Sequence, residues 1–322
     1  MKKITLLIFS AIAFILLSSC SIDVESKNVY VTVYPLKYMT ESLFVDTDLT
    51  VGIVPGVTSH EHSAEWSPKQ IIAMKDADYL FYIGANYDQY VDKKLNVFES
   101  ADVQLIKIED QSDYIQYIEG VSHTHEHTDH DHEDEITTRE SELGLDPHFW
   151  VSPKRMLDVL ELLYDTYIDE YTDYNDEITS NYQSLKANLE ELHIDYQETI
   201  SAMNKPALTS TNLYGYLKVD YGFSYISISP GYHEEPDNMI ADEHAELMHE
   251  IEIHNINKII YEKKRTSPAS DYIFSEMAKL DIEPVKLLFD VLQALSDDDI
   301  SKGKGYISVM RENLDVFSEA GK

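Results

Sequence analysis

Asn175 to Met203 reads NDEITSNYQSLKANLEELHIDYQETISAM, and neither glycine nor proline interrupts the chain from Tyr174 to Lys205. Ile178, Tyr182, Leu185, Leu189, Leu192 and Tyr196 recur at steps of three or four, which places them on one stripe of a helix. The stretch predicts a single helix over 174–204, roughly 45 Å long at 1.5 Å per residue. It lacks the strict heptads of a coiled coil. A rigid connector packed across two globular halves fits better, with His193 at its surface. Just upstream, Pro153 marks a natural helix start, and MLDVLELLYDTYI carries a second apolar stripe at helical spacing.

On either side of this helical region the pattern changes to short runs rich in β-branched and aromatic residues. In the first half the expected strands are 29–33, 49–54, 79–83 and 103–108, with helices over 36–44, 68–75 and 87–97. In the second half the strands are 207–211, 225–229, 258–261 and 284–288, with helices over 212–220, 239–254, 270–279 and 302–314. Alternating strands and helices imply a mainly parallel sheet covered on both faces. Here that unit occurs twice, so the expected fold class is α/β, two lobes joined by the long helix. The expected boundaries are an N-terminal lobe at 29–152, a helical region at 153–205 and a C-terminal lobe at 206–322.

The N-terminus shows Lys2 and Lys3, an apolar run from Ile4 to Leu17, then Leu17-Ser18-Ser19-Cys20. A basic start, an apolar stretch too short to span a bilayer and small residues before a cut describe a signal peptide over 1–19. Cys20 is the only cysteine, so no intrachain disulfide forms, and its setting resembles the bacterial lipobox. The expected product is lipid-anchored through Cys20 outside the cytoplasm, on a tether spanning 20–28. The net charge of −34 repels nucleic acid and anionic lipid and favours cations, without naming one.

Histidines give the acidity a direction. His123 to His132 reads HTHEHTDHDH, with imidazoles at His123, His125, His127, His130 and His132 and no apolar residue. Such a run belongs to a solvated, metal-attracting loop, placed at 121–135. Its donors have no fixed spacing, so concentrating ions or sensing high zinc suits it better than a rigid site. Protonation weakens it below the imidazole value of about 6.5. Two further settings stand out. His60-Glu61-His62 follows a strand and precedes a helix, at the sheet edge where open α/β folds bind ligands. His148 lies in DPHFW, stiffened by Pro147 and two aromatics. His233, in SPGYHEEPD, also follows a strand; His244, His249 and His254 read as surface residues.

The chain resembles the zinc and manganese solute-binding lipoproteins of bacterial ABC importers, particularly the zinc-uptake branch. The resemblance runs through Pro35-Leu36, PGVTSHEHSAEWSP (55–68), ADYLFYIGANYD (77–88), the histidine loop and DPHFWVSP (146–153). It continues through TSTNLYGYLKVDYGF (209–223), HNINKIIYEK (254–263) and LSDDDISKGKGYISVMRENLDVF (295–317). It implies a metal held in the cleft between the lobes and delivery to an ABC permease. His62, with Glu65 three residues on, matches the family's first ligand, and His148 matches the second. Thr211 occupies the place of the third, a histidine, and Gln293 that of the fourth, a carboxylate, with Asp290 three residues earlier.

A threonine hydroxyl and a glutamine amide are poor replacements for imidazole and carboxylate toward zinc. His60, Glu61, His233 or Asp290 are the candidates to complete a site around His62 and His148. Zinc is the expected ion and manganese the alternative. The rival expectation is a surface adhesin, or a binder of a metal complex, whose cleft no longer holds a bare ion tightly. No HExxH, GxSxG or P-loop is present, so an enzyme is not expected.

Overall fold

The computed structural model describes residues 26–56, 64–119, 144–229, 231–232, 241–280 and 282–322. Strands β1 (Val29–Val31), β2 (Val51–Ile53), β3 (Tyr79–Tyr82) and β4 (Gln104–Lys107) form one sheet in the order β2-β1-β3-β4. Every pair in it is parallel. Parallel neighbours need crossovers, supplied here by α1 (Tyr34–Leu43), α2 (Pro68–Lys75), α3 (Gln89–Asp92) and α4 (Leu95–Phe98). The start of α2 shows why its sequence folds locally. Pro68 sits in the first turn, and the Ser67 hydroxyl and Gln70 side chain cap each other's backbone.

Helices α5 (Pro153–Glu170) and α6 (Asn175–Ser201) then pack against each other. The second sheet repeats the scheme: β5 (Ala207–Thr209), β6 (Tyr225–Ser227), β7 (Lys258–Glu262) and β8 (Val285–Phe289), ordered β6-β5-β7-β8 and all parallel. Its helices are α7 (Gly215–Tyr221), α8 (Ala241–Ile253), α9 (Pro268–Lys279), α10 (Asp297–Ser301) and α11 (Tyr306–Ala320). In both sheets the chain reverses its winding between the first and third strands. The crevice beyond the carboxyl ends at that reversal is where open α/β sheets bind ligands.

The predicted stripe on α6 is buried at Ile178, Leu185, Leu189, Leu192 and Tyr196, while Tyr182 is half-buried and stacks on Tyr164 at 4.1 Å. That face touches α1 in the first lobe and α11 in the second. One continuous core therefore runs from Val29 to Ala320 through both lobes, and each sheet has a smaller core on its outer face. Several tyrosines serve this core by pairing ring burial with a satisfied hydroxyl, although the buried Tyr214 hydroxyl has no partner among the described residues. Tyr196 donates to the Met310 carbonyl at 2.9 Å, Tyr306 to the Trp150 carbonyl at 2.7 Å, and Tyr167 shares a 3.0 Å bond with Thr40. Arg155 on α5 grips the buried Asp220 on α7 with Nε and Nη2 at 2.8 and 2.6 Å, a bidentate tie between helical region and second lobe.

Three expectations need correction. The single helix over 87–97 starts only at Gln89, after left-handed backbone at Gly84, Ala85 and Asn86, and it breaks into two short helices where Lys94 leaves helical geometry. The helix over 302–314 begins at Tyr306: Gly303, at φ 69°, terminates α10, and Gly305 caps α11 in extended geometry. His193 is half-buried, its Nδ1 2.9 Å from the Tyr221 hydroxyl, and burial lowers its pKa.

Candidate metal centre

His148 lies between the lobes at 1% exposure. Its backbone N–H and its Nδ1 both lie 2.9 Å from Asp146 Oδ1. A carboxylate only accepts, so the proton sits on Nδ1 and the lone pair on Nε2, the arrangement that prepares an imidazole for a metal. Asp146 is itself fixed from both sides. Its N–H donates to the Ile118 carbonyl at 3.0 Å, and its carbonyl accepts from the Tyr216 hydroxyl of α7 at 2.8 Å. A Cβ at Gly215 would stand 2.8 Å from Asp146 Oδ2, so only glycine lets α7 approach this closely. Tyr87, Trp150 and Tyr232 surround the imidazole with ring centroids at 6.2, 5.3 and 4.8 Å. Trp150 then donates Nε1–H to the Val291 carbonyl at 2.9 Å, linking this segment to the loop after β8.

The second lobe contributes side chains at the carboxyl ends of β5, β7 and β8. Thr211 is 2% exposed, and its hydroxyl has no hydrogen-bond partner among the described residues. Asp290 is buried just past β8. Its backbone N–H and C=O both bond the Asn313 amide of α11, at 2.9 and 2.8 Å. Its Oδ1 accepts from the Leu292 N–H at 3.0 Å, and Lys263 Nζ stands 3.1 Å from Oδ2. Gln293 is half-buried beyond it.

Glu262, ending β7, carries no role in the sequence reading. It is buried, donates its backbone N–H to Ser210 Oγ at 3.3 Å, and has Arg265 Nε 3.9 Å from Oε2. Burial pushes its pKa up to about 7; Arg265 and His148 oppose that rise, and Asp290 adds to it. The carboxylate thus feels both the first-lobe imidazole and its neighbour just past β8. The available signal was positional: a charged residue closing an apolar run, IIYE, at the carboxyl edge of a parallel strand.

Of the sequence candidates, His148 and Asp290 lie among the described residues, both are buried and both act electrostatically on Glu262, and positions Thr211 and Gln293 lie among the described residues as well. His60, Glu61, His62, His233, the loop histidines His123, His125, His127, His130 and His132, and Cys20 lie outside the described residues. Among the described residues, no three His, Cys, Asp or Glu side chains are close enough to hold a metal ion as they stand. His244 and His254 are half-buried, the latter 3.3 Å from Glu250, and His249 is exposed.

Two parallel α/β lobes braced by a shared helical layer, with an oriented imidazole between them, define a bilobed solute-binding protein. The family model described as ZnuA, zinc-uptake complex component A, periplasmic, matches residues 29–320, and the chain belongs to that family. It is 29% identical to the zinc-binding lipoprotein AdcA of Streptococcus pneumoniae over 99% of its own length, and it covers 61% of AdcA. To the high-affinity zinc uptake system protein ZnuA of Bacillus subtilis it is 25% identical, covering 99% of this chain and 98% of that protein. The fold is also that of the laminin-binding protein Lmb of Streptococcus agalactiae, described as having adhesin and metal-transporting activity. There the TM-score is 0.69 at 18% identity, over 92% of this chain and 100% of Lmb.

The family description is periplasmic, which places the chain outside the cytoplasm. Among the described residues no helix is long and apolar enough to cross a membrane.

Proposed function

We propose that this chain is an extracytoplasmic metal receptor with a diverged cleft, which takes up a divalent transition metal and passes it to an ABC permease. The observation that carries this reading is His148: a buried imidazole whose Nδ1 is held by Asp146, which directs Nε2 to be the metal-binding atom, within electrostatic reach of Glu262 in the opposite lobe. His62 is the proposed second donor. Zinc is the first choice of ion, consistent with the names of the relatives, and manganese the second. Thr211 and Gln293 replace stronger donors, so the cleft should hold a bare ion less tightly than a site with imidazole and carboxylate there. The loop 123–132 is proposed to raise the local ion concentration.

A second reading, a surface adhesin or a binder of a metal complex, draws on two observations. The described residues hold no preassembled group of three ligands, and the fold is shared with a laminin-binding protein. Both weigh toward a diverged cleft and away from a tight receptor for bare zinc.

Zinc titration by calorimetry of the exported chain lacking 123–132, beside its His148→Ala variant, tests the reading. One site in the parent that disappears in the variant supports metal reception. No site in the parent would sink it and turn attention to metal complexes and macromolecular partners.

A further inference from the structure

We propose that Arg155 is the positioning residue of this site: acting through Tyr216 and Asp146, it holds the His148 imidazole in its direction. The inference deepens the metal-receptor reading and rests on it for one of its two readouts.

His148 takes its direction from Asp146, whose Oδ1 lies 2.9 Å from both its backbone nitrogen and its Nδ1. Asp146 is in turn placed by two separate parts of the chain. Its N–H donates to the Ile118 carbonyl of the first lobe at 3.0 Å, and its C=O accepts from the Tyr216 hydroxyl of the second at 2.8 Å. The same hydroxyl accepts from the Ile118 N–H at 3.3 Å, so the two supports meet at Tyr216. The imidazole therefore keeps its direction while the stretch 116–118 and helix α7 keep their spacing.

Arg155 fixes that spacing. Its Nη1 donates to the Gln116 carbonyl at 3.2 Å, two residues before Ile118. Its Nε and Nη2 clasp Asp220 at 2.8 and 2.6 Å, one helical turn beyond Tyr216. Between these ties the guanidinium carbon lies 5.6 Å from the centroid of the Tyr216 ring. One planar group with donors in fixed directions thus joins α5, the first-lobe stretch and α7. The clamp is shielded from water, the Arg155 and Asp220 side chains being 11% and 1% exposed. Ser152 also donates its hydroxyl to Asp220 Oδ2 at 2.7 Å, which fastens the far side of the His148 segment to the same carboxylate. His148 belongs to the first lobe by sequence, yet a helix of the second lobe sets its direction, and Arg155 carries that setting across.

Arg155→Lys keeps the charge beside Asp220 and loses the fork, so it tests geometry without stranding a buried carboxylate. In the metal-free exported chain at about pH 8, where an ordinary imidazole is neutral, two-bond nitrogen–proton NMR spectra report which ring nitrogen carries the proton. The His148 signal is assigned by its absence from His148→Ala. The expected result is a single Nδ1–H form in the parent and a mixture of tautomers in Arg155→Lys. In zinc titration by calorimetry, Arg155→Lys and Tyr216→Phe should each lose about 10-fold in affinity. The double variant should lose little more than either, because both act on one support. A folded Arg155→Lys chain with the parent's His148 spectrum overturns the proposal, as do zinc losses that multiply to about 100-fold in the double variant. Should Arg155→Lys not fold, the charge-free pair Arg155→Gln with Asp220→Asn takes its place in the NMR measurement, with the same two outcomes. If the parent binds no zinc, the metal-receptor reading falls, and the His148 spectrum alone decides whether Arg155 positions the imidazole.

Discussion

Each sheet has a buried carboxylate near its winding reversal, and the two are treated in opposite ways. In the first lobe Asp88 accepts from the Thr32 hydroxyl at 2.7 Å and from the Ile83 and Gly84 N–H groups at 2.6 and 2.9 Å. Burial still raises its pKa against these bonds, but its oxygens are committed to holding one loop in place. In the second lobe Glu262 has a flexible guanidinium at 3.9 Å and feels charges from both lobes. Two sheets of the same strand order thus bury a carboxylate at the same place, one fastened by short hydrogen bonds and the other with a guanidinium at 3.9 Å. Sheet topology marks where a ligand can sit; the groups around each acid set how tightly it is held.

The comparison breaks most severely at Asp88. Asp88→Ala strands a buried hydroxyl and two backbone N–H groups and should cost about 3–5 kcal/mol of stability, read from urea unfolding. Zinc affinity of the folded protein should stay within about threefold, well under 1 kcal/mol. A large loss of affinity with unchanged stability would erase the distinction between the two acids.

The converse experiment uses pH. Burial pushes the Glu262 pKa up to about 7 in the folded chain, from an ordinary value of 4.5. Across that window the folded state holds more protons than the unfolded one, so stability falls as pH rises from 4.5 to 7. The loss is on the order of 3 kcal/mol, and Glu262→Gln should remove that part of the slope. Unfolding midpoints measured at both ends of the window check it.

A smaller effect belongs to the first-lobe side of the cleft. Asp146→Asn no longer fixes the His148 tautomer and should weaken zinc binding about 10–100-fold, measured by calorimetry. Unchanged affinity would mean that the imidazole orientation is set by its aromatic neighbours alone. The mildest change is Thr211→Val, which removes a buried hydroxyl lacking a partner among the described residues. Stability should stay level or rise by up to about 1 kcal/mol, and metal affinity should not move. A drop in affinity would restore Thr211 to the ligand set.

The fold was legible wherever periodicity ran long. The stripe from Ile178 to Tyr196 announced α6, and Pro68 with its Ser67 cap gave α2 its start. Reading failed where glycine or left-handed backbone interrupted an apolar pattern, as at Gly84–Asn86 and Gly303. Apolar spacing carries no information about such breaks. In the cleft, DPHFW gave His148 because proline and aromatics make an unusual local frame. Asp146 stood in the same motif, yet its role depends on a hydrogen bond that sequence does not display. Glu262 was missed because IIYEK looks like any strand leaving its sheet, and its neighbours His148 and Asp290 are remote in sequence. His193 looked like surface because Tyr221, its partner, arrives from another helix.

The last helix has a consequence for the order of events after export. Asn313 of α11 holds Asp290 by its backbone, Tyr306 locks the segment carrying Trp150 and His148, and Phe317 fills the shared core. A chain emerging N-terminus first therefore lacks the Asn313 and Tyr306 hydrogen bonds and the Phe317 part of the shared core until residues 306–320 have emerged. On the metal-receptor reading, uptake of an ion would follow the docking of residues 306–320 into the fold.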